Sequence, residues 1–174
     1  MTSVSSADHI VDEDFNPDKE ERREFAKDVG DQAHWSASTF ARKHSVENLR
    51  DGYSHTYWES SGPLPHTISL GFWKQTTIQS VWIYVDYFKD KHYAPKRISI
   101  QVGTFVGELK QIVLMDLQQH SGWQKIPLRD SHGKPVKTYV LEIAVLLNKD
   151  VGEDSRIRQI RVHSPPGDED LKED

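Results

Sequence analysis

From Trp35 onward the apolar residues of this chain recur at every second position, and that period limits the fold more than any other feature. Ile68, Leu70 and Phe72 alternate with Ser69 and Gly71, Val81, Ile83 and Val85 with Trp82 and Tyr84, and Ile98, Ile100 and Val102 with Ser99 and Gln101. Successive side chains of a strand point to opposite faces, so each run offers one apolar face to a core. Strands are expected at 66–72, 81–85, 98–102, 111–117, 122–128, 138–147 and 158–163. Segment 138–147 is apolar on both faces, which marks a central strand. Turn signals such as Ser61-Gly62-Pro63, Lys89-Asp90-Lys91 and Ser131-His132-Gly133 separate the runs, with no amphipathic helix long enough for a crossover. The expected fold class is therefore all-β: a two-sheet antiparallel jelly-roll sandwich.

Length and composition agree with one such domain. The chain has 174 residues, 36% of them hydrophobic, with five Trp, six Tyr and six Phe, too many aromatic rings for a wholly disordered chain. It lacks Cys, which excludes disulfides, thiolate metal sites and cysteine nucleophiles. No run is apolar enough for a membrane span and the acidic start is unlike a secretory signal, so a soluble, non-exported protein is expected.

Charge divides the chain into three. Residues 1–28 carry nine acidic and four basic side chains, residues 164–174 five and one, leaving 17 basic and 13 acidic on residues 29–163. The expected organisation is an acidic, largely flexible segment at 1–28, a sandwich at 29–165 and an acidic, flexible tail at 166–174. Short helices are expected near the start: one capped by Asn16, opened by Pro17, running to about Asp28 and ended by Gly30, and one turn at 45–50, capped by Ser45 and ended by Gly52. The mild core charge forms no basic stripe, which argues against nucleic acid.

A search for catalytic chemistry returns negatives. Phosphate loops, dinucleotide fingerprints, zinc-protease pairs and nucleophile elbows are all missing. The nine His stand singly, with His66 and His92 at strand ends. Asp86 and Asp90 read as solvated turn charges rather than a paired acid and base, and Ser121 as a turn residue. Trp58 and Trp73 could make an aromatic platform for sugar, although packing is the simpler role for each. With neither metal nor cofactor indicated, the loops at one end of the sandwich are left as a binding surface.

The residues then suggest a family. Trp35-Ser36, Leu49-Arg50-Asp51-Gly52, Thr56-Tyr57-Trp58-Glu59-Ser60-Ser61-Gly62 and Pro65-His66 stand in order at the start of the core. Tyr84-Val85-Asp86-Tyr87, Tyr93-Ala94-Pro95-Lys96-Arg97-Ile98-Ser99, Ser121-Gly122-Trp123, Ile143-Ala144-Val145-Leu146 and Arg158-Gln159-Ile160-Arg161-Val162 follow. Together, from about Val29 to Pro165, they resemble the DOC domain, which defines a small subunit of the anaphase-promoting complex and recurs in other ubiquitin ligases. The resemblance implies a galactose-binding or discoidin-like jelly roll. It also implies a non-catalytic role in the nucleus and cytoplasm: gripping degron peptides of substrates, with a WD40 coactivator, so that ubiquitination becomes more processive.

Carried over position by position, the implied substrate-binding residues are Ser60, Ser61, His92, Tyr93, Asn148, Lys149, Asp154 and Arg156. Ser60 and Asn148 would meet peptide amides and Tyr93 would supply apolar area. Two departures from the family pattern stand out. Where relatives tend to read Asn-His-x-Asn-Gly-Arg-Asp-Thr-His, this chain has Asn148-Lys149-Asp150-Val151-Gly152-Glu153-Asp154-Ser155-Arg156 and keeps only Asn148, Gly152 and Asp154. The sequence also ends Leu171-Lys172-Glu173-Asp174 rather than in the Ile-Arg that docks on a TPR scaffold subunit. A DOC module of a HECT or cullin ligase, or a carbohydrate-binding module, are the alternative readings.

Overall fold

The computed structural model describes residues 10, 11 and 15–167. In chain order they form β1 (Ile10–Val11), α1 (Pro17–Glu24), β2 (Lys27–Asp28), β3 (Ala33–Ala37), β4 (Trp58–Glu59), β5 (His66–Ile78), β6 (Ser80–Asp86), β7 (Pro95–Gly103), β8 (Leu109–Asp116), β9 (Ser121–Pro127), β10 (Val136–Asn148), β11 (Arg156–Ile157) and β12 (Gln159–Ser164). Each of the seven expected strands is present. The long ones extend past their alternating core, because backbone pairing continues where apolar periodicity stops. The short pairs involving β1, β2, β4 and β11 carry too few residues to show a period.

Two five-stranded antiparallel sheets face each other, in the orders β1-β9-β6-β12-β2 and β3-β5-β10-β7-β8, while β4 and β11 make a separate pair. As its apolar faces demanded, β10 is the middle strand of the second sheet. Ile143 on it lies opposite Ile68 of β5 and Ile100 of β7. Val81, Ile83 and Val85 of β6, with Ile160 and Val162 of β12, meet Ile68, Leu70, Leu141 and Ile143 from the other sheet in one core cluster. This is a jelly-roll sandwich.

The outer face of the first sheet is covered as well. Helix α1 starts as expected, with the Asn16 side chain accepting from the Asp18 and Lys19 backbone N–H groups and Pro17 as its first residue. It ends at Phe25, in the left-handed region at φ 52°, well before Gly30. The chain must turn there because Lys27 and Asp28 pair with Ser164 and His163 at the sheet edge. The helix lays its acidic side on the sheet: Glu21 accepts from Arg161 at 2.8 Å and meets His163 Nε2 at 2.7 Å, while Lys125 pairs with Glu24. Phe15 packs edge-on against Trp82, ring centroids 5.2 Å apart, so Trp82 is fully buried although it points away from the sandwich core.

The turn expected at 45–50 is a 3-10 turn, Val46–Leu49, and Ser45 makes no side-chain cap. Among the described residues no helix is long and apolar enough to cross a membrane.

Candidate functional site: three loops at one end of the sandwich

At one pole β5 and β7 begin at His66 and Pro95, β9 and β12 begin at Ser121 and Gln159, and β6 and β10 end at Asp86 and Asn148. The intervening loops are fastened by their own polar groups. Asn148, 3% exposed, donates from Nδ2 to the Asp154 carbonyl at 2.6 Å and accepts from the Ser155 hydroxyl at 2.6 Å, closing loop 149–155 on its own base. Ser60, 1% exposed, accepts from the Ser155 N–H at 2.7 Å, and Asp154 Oδ1 accepts from Gly62 N–H at 3.0 Å. His66 Nε2 donates to the Glu153 carbonyl at 2.5 Å. The direct peptide contacts expected of Ser60 and Asn148 therefore meet buried side chains. Both are spent on internal partners and shape the loops from within.

A third loop joins from residues 87–94. Lys149 N–H donates to the Ala94 carbonyl at 2.8 Å, and a Cβ at Gly152 would collide with the His92 carbonyl oxygen. Glycine is required there by close approach, not by dihedral angle. Beneath these loops the Asp90 side chain is fully buried and receives a two-pronged bond from Arg158, 3.0 Å at Nε and 2.6 Å at Nη2. Arg158 Nη1 also donates to the Ser54 carbonyl at 2.9 Å. The sequence reading of Asp90 as a solvated turn charge is thus corrected, since its partner lies 68 positions away. Asp86 is also buried. Burial alone would raise its carboxyl pKa, but the Ser121 hydroxyl, the Lys89 and Phe88 N–H groups and the Arg158 charge outweigh that and hold it below the usual carboxylate value.

What remains exposed is a surface of rings and charges. Arg156 is held by Glu59 at 2.6 Å, with its guanidinium 3.9 Å from the Tyr93 ring centroid and 4.6 Å from that of Tyr57. Lys149 sits 4.2 Å over the Tyr87 ring. His92 Nδ1 approaches Asp150 Oδ2 at 3.0 Å. Ser61, Phe88 and Tyr93 are exposed, and Val151 is 96% exposed. All eight residues nominated from sequence thus lie on these loops or at the strand ends beside them, in two roles: Ser60, Asn148 and Asp154 bind the loops together, while Ser61, His92, Tyr93, Lys149 and Arg156 stand at the surface.

Asp90, Arg158, Tyr57 and Glu59 were missed as structural partners. The Asp90–Arg158 pairing leaves no local trace, whereas Tyr57 and Glu59 stood within a quoted motif. Of the residues kept from the family pattern, Asn148 is buried and Gly152 and Asp154 are half-buried, and the departing Ser155 is buried beside them. Val151 and Glu153, which depart from it, are exposed.

The arrangement suits recognition of an extended polar and aromatic segment: cations stacked on rings attract, and ordered loops cost little further entropy on binding. Among the described residues no group of three or more His, Asp or Glu could hold a metal ion. The proposed sugar platform does not assemble. Trp58 is fully buried with its N–H bonded to the Thr39 carbonyl, and Trp73 alone stands exposed, on β5.

Solved structures share this architecture. The family 32 carbohydrate-binding module of NanJ from C. perfringens, solved with galactose, superposes with a TM-score of 0.67 at 15% identity over 79% of this chain and 98% of its own. A chitosan-binding module from Paenibacillus sp. IK-5 does so at 0.62 and 13%, over 78% and 98%. At such identities the likeness shows the fold alone: a jelly-roll β-sandwich of the kind those modules adopt.

The family model described as anaphase-promoting complex, subunit 10, matches residues 6–173. Anaphase-promoting complex subunit 10 of Drosophila melanogaster is 44% identical over 150 residues, 86% of this chain and 77% of the relative. The Homo sapiens protein of that name is 39% identical over 150 residues, 86% and 81%. The chain belongs to the anaphase-promoting complex subunit 10 family, the DOC-domain proteins.

Proposed function

We propose that this chain is a non-catalytic, substrate-recognition subunit of the anaphase-promoting complex, a ubiquitin ligase, and that its three-loop pole grips a degron peptide in extended form. The family relationship supports the complex. The observation that carries the mechanism is the division of labour at the pole, where buried hydrogen bonds fix the loops and leave Tyr93, Arg156, Lys149, His92 and Ser61 presented outward. Such a contact is weak alone. Paired with a second contact on a WD40 coactivator it raises the effective concentration of substrate, lengthens its stay beside the transferred ubiquitin and so makes chain extension more processive. A TPR scaffold subunit is the partner that would hold the chain in the complex, in nucleus and cytoplasm.

The loop departures fit this reading. Val151 and Glu153 replace an amide and a cation at exposed positions, so they alter which degron is preferred without disturbing the Asn148, Gly152 and Asp154 framework.

The test is binding of labelled destruction-box peptides to the full chain with its coactivator, together with co-purification with the complex. Tyr93→Ala removes an exposed ring and is expected to weaken peptide binding about tenfold, roughly 1.4 kcal/mol, with unchanged thermal stability. Asn148→Ala is expected to weaken it through loosened loops, with a lower melting temperature. Unchanged peptide binding in both variants removes this pole from the account.

A further inference from the structure

We propose that the opposite pole of the sandwich is a second binding site, one that takes an acidic, extended peptide segment of a partner protein. The observation is independent of the three loops. Where β5 ends at Ile78, β7 at Gly103 and β10 begins at Val136, the structure holds a cavity of about 670 Å³. Its depth is apolar, with Ile112 and Val136 buried and Val102 half-buried. Its rim is cationic: Lys110, Arg129, Lys134 and Lys137 line it and are all exposed.

Asp130 is the only carboxylate among the described lining residues, and it is already engaged, accepting from the His132 and Lys134 N–H groups at 2.8 and 3.0 Å. Among the described residues none of the four cations has a carboxylate within salt-bridge distance. Arg129 Nη1 reaches only the Gln79 and Leu128 carbonyls, at 3.4 and 3.3 Å.

Lysines scattered on a convex face need no partner. Here four cations converge around apolar area, and that pairing selects the ligand. A purely apolar segment would leave the cations facing it without compensation, and a phosphate backbone would leave the apolar depth wet. A segment with carboxylates flanking one aliphatic side chain satisfies both. β10 connects the two poles, running thirteen residues from Val136 to Asn148, about 40 Å of extended chain. Occupants of the two sites would therefore not compete for space, and the chain would bridge two polypeptides.

The experiment measures fluorescence anisotropy of a labelled synthetic peptide, one Leu within a run of Glu and Asp, against the full chain. Saturable binding is expected, weakened about tenfold by Lys110→Glu with Lys137→Glu and less by the Gln pair, and unaltered by Tyr93→Ala. The same peptide with Lys for every acid is expected not to bind. The chain's own acidic tail starts at Asp168, shortly after Pro165 on the cavity wall. Binding that appears only after Asp168, Glu169 and Asp170 are changed to amides would assign the cavity to that tail and overturn the proposal. So would an absence of saturable binding, or binding indifferent to both Lys pairs in variants whose melting curves match the parent.

Discussion

Asp90 and Arg158 form a buried two-pronged ion pair that ties the 87–94 loop to the chain just before β12, and the pair works only as a pair. Hydrogen bonding to Asp90, opposed by burial, raises the Arg158 pKa, and a guanidinium is basic enough to keep its charge even when that partner is removed. Asp90→Ala would leave that charge enclosed and uncompensated, and urea unfolding is expected to show a loss of about 3–5 kcal/mol. The double variant Asp90→Ala with Arg158→Met is expected to recover much of it, since neither charge is then buried alone. A loss as large in the double as in the single variant would mean that packing, not charge, is what the site requires. Residue type and position gave no sign of this pair. A short acidic turn between two lysines has the composition of a solvated one, and only a guanidinium brought from β12 makes it an interior group.

At the scale of elements, α1 and the first sheet meet through titratable groups. His163 is fully buried, in contact with the Trp82 ring at 3.9 Å, and its Nε2 lies 2.7 Å from Glu21 Oε1. Its Nδ1 is buried without a hydrogen-bond partner, so protonation there would enclose an unmatched N–H. Burial therefore depresses the His163 pKa below its ordinary 6.5, despite the opposing pull of Glu21 and Asp28 and with some help from Arg161.

A histidine depressed in this way contributes stability that is complete above pH 6.5. The contribution shrinks as pH falls below 6.5, because the unfolded chain takes up the proton and the folded one resists it. Stability measured by urea unfolding is expected to fall as the pH is lowered below about 6.5, and His163→Gln is expected to flatten that slope. An unchanged slope in the variant would place the pH dependence elsewhere. The sequence signalled the helix by Asn16 and Pro17, yet not what it covers: alternation with Val81 and Ile83 puts Trp82 on the far face of its strand, and Phe15 and α1 cover it only in the folded chain.

For the molecule as a whole, the central strand β10 both holds the sandwich together and connects its poles. Ile143 lies midway along it, fully buried, opposite Ile68 and Ile100 in the neighbouring strands. Ile143→Ala is expected to cost about 2–5 kcal/mol in a single cooperative unfolding transition, because one core serves both sheets. A biphasic transition would count against a single core.

The sheet framework was legible because a strand that turns one face to the core alternates, and alternation is written in consecutive residues such as Val81, Ile83 and Val85. The position of the three loops at one pole was legible through family motifs that keep Asn148, Gly152 and Asp154. Which of those residues face solvent was not, because burial at the pole depends on contacts between positions some ninety residues apart, as with Ser60 and Ser155. Local periodicity, end signals and motif order were properties of the chain by itself. The fully buried Asp90, the inward Asn148, the covered Trp82 and the cationic cavity around Ile112 arise only when distant segments exclude water together, and no stretch of sequence records that exclusion.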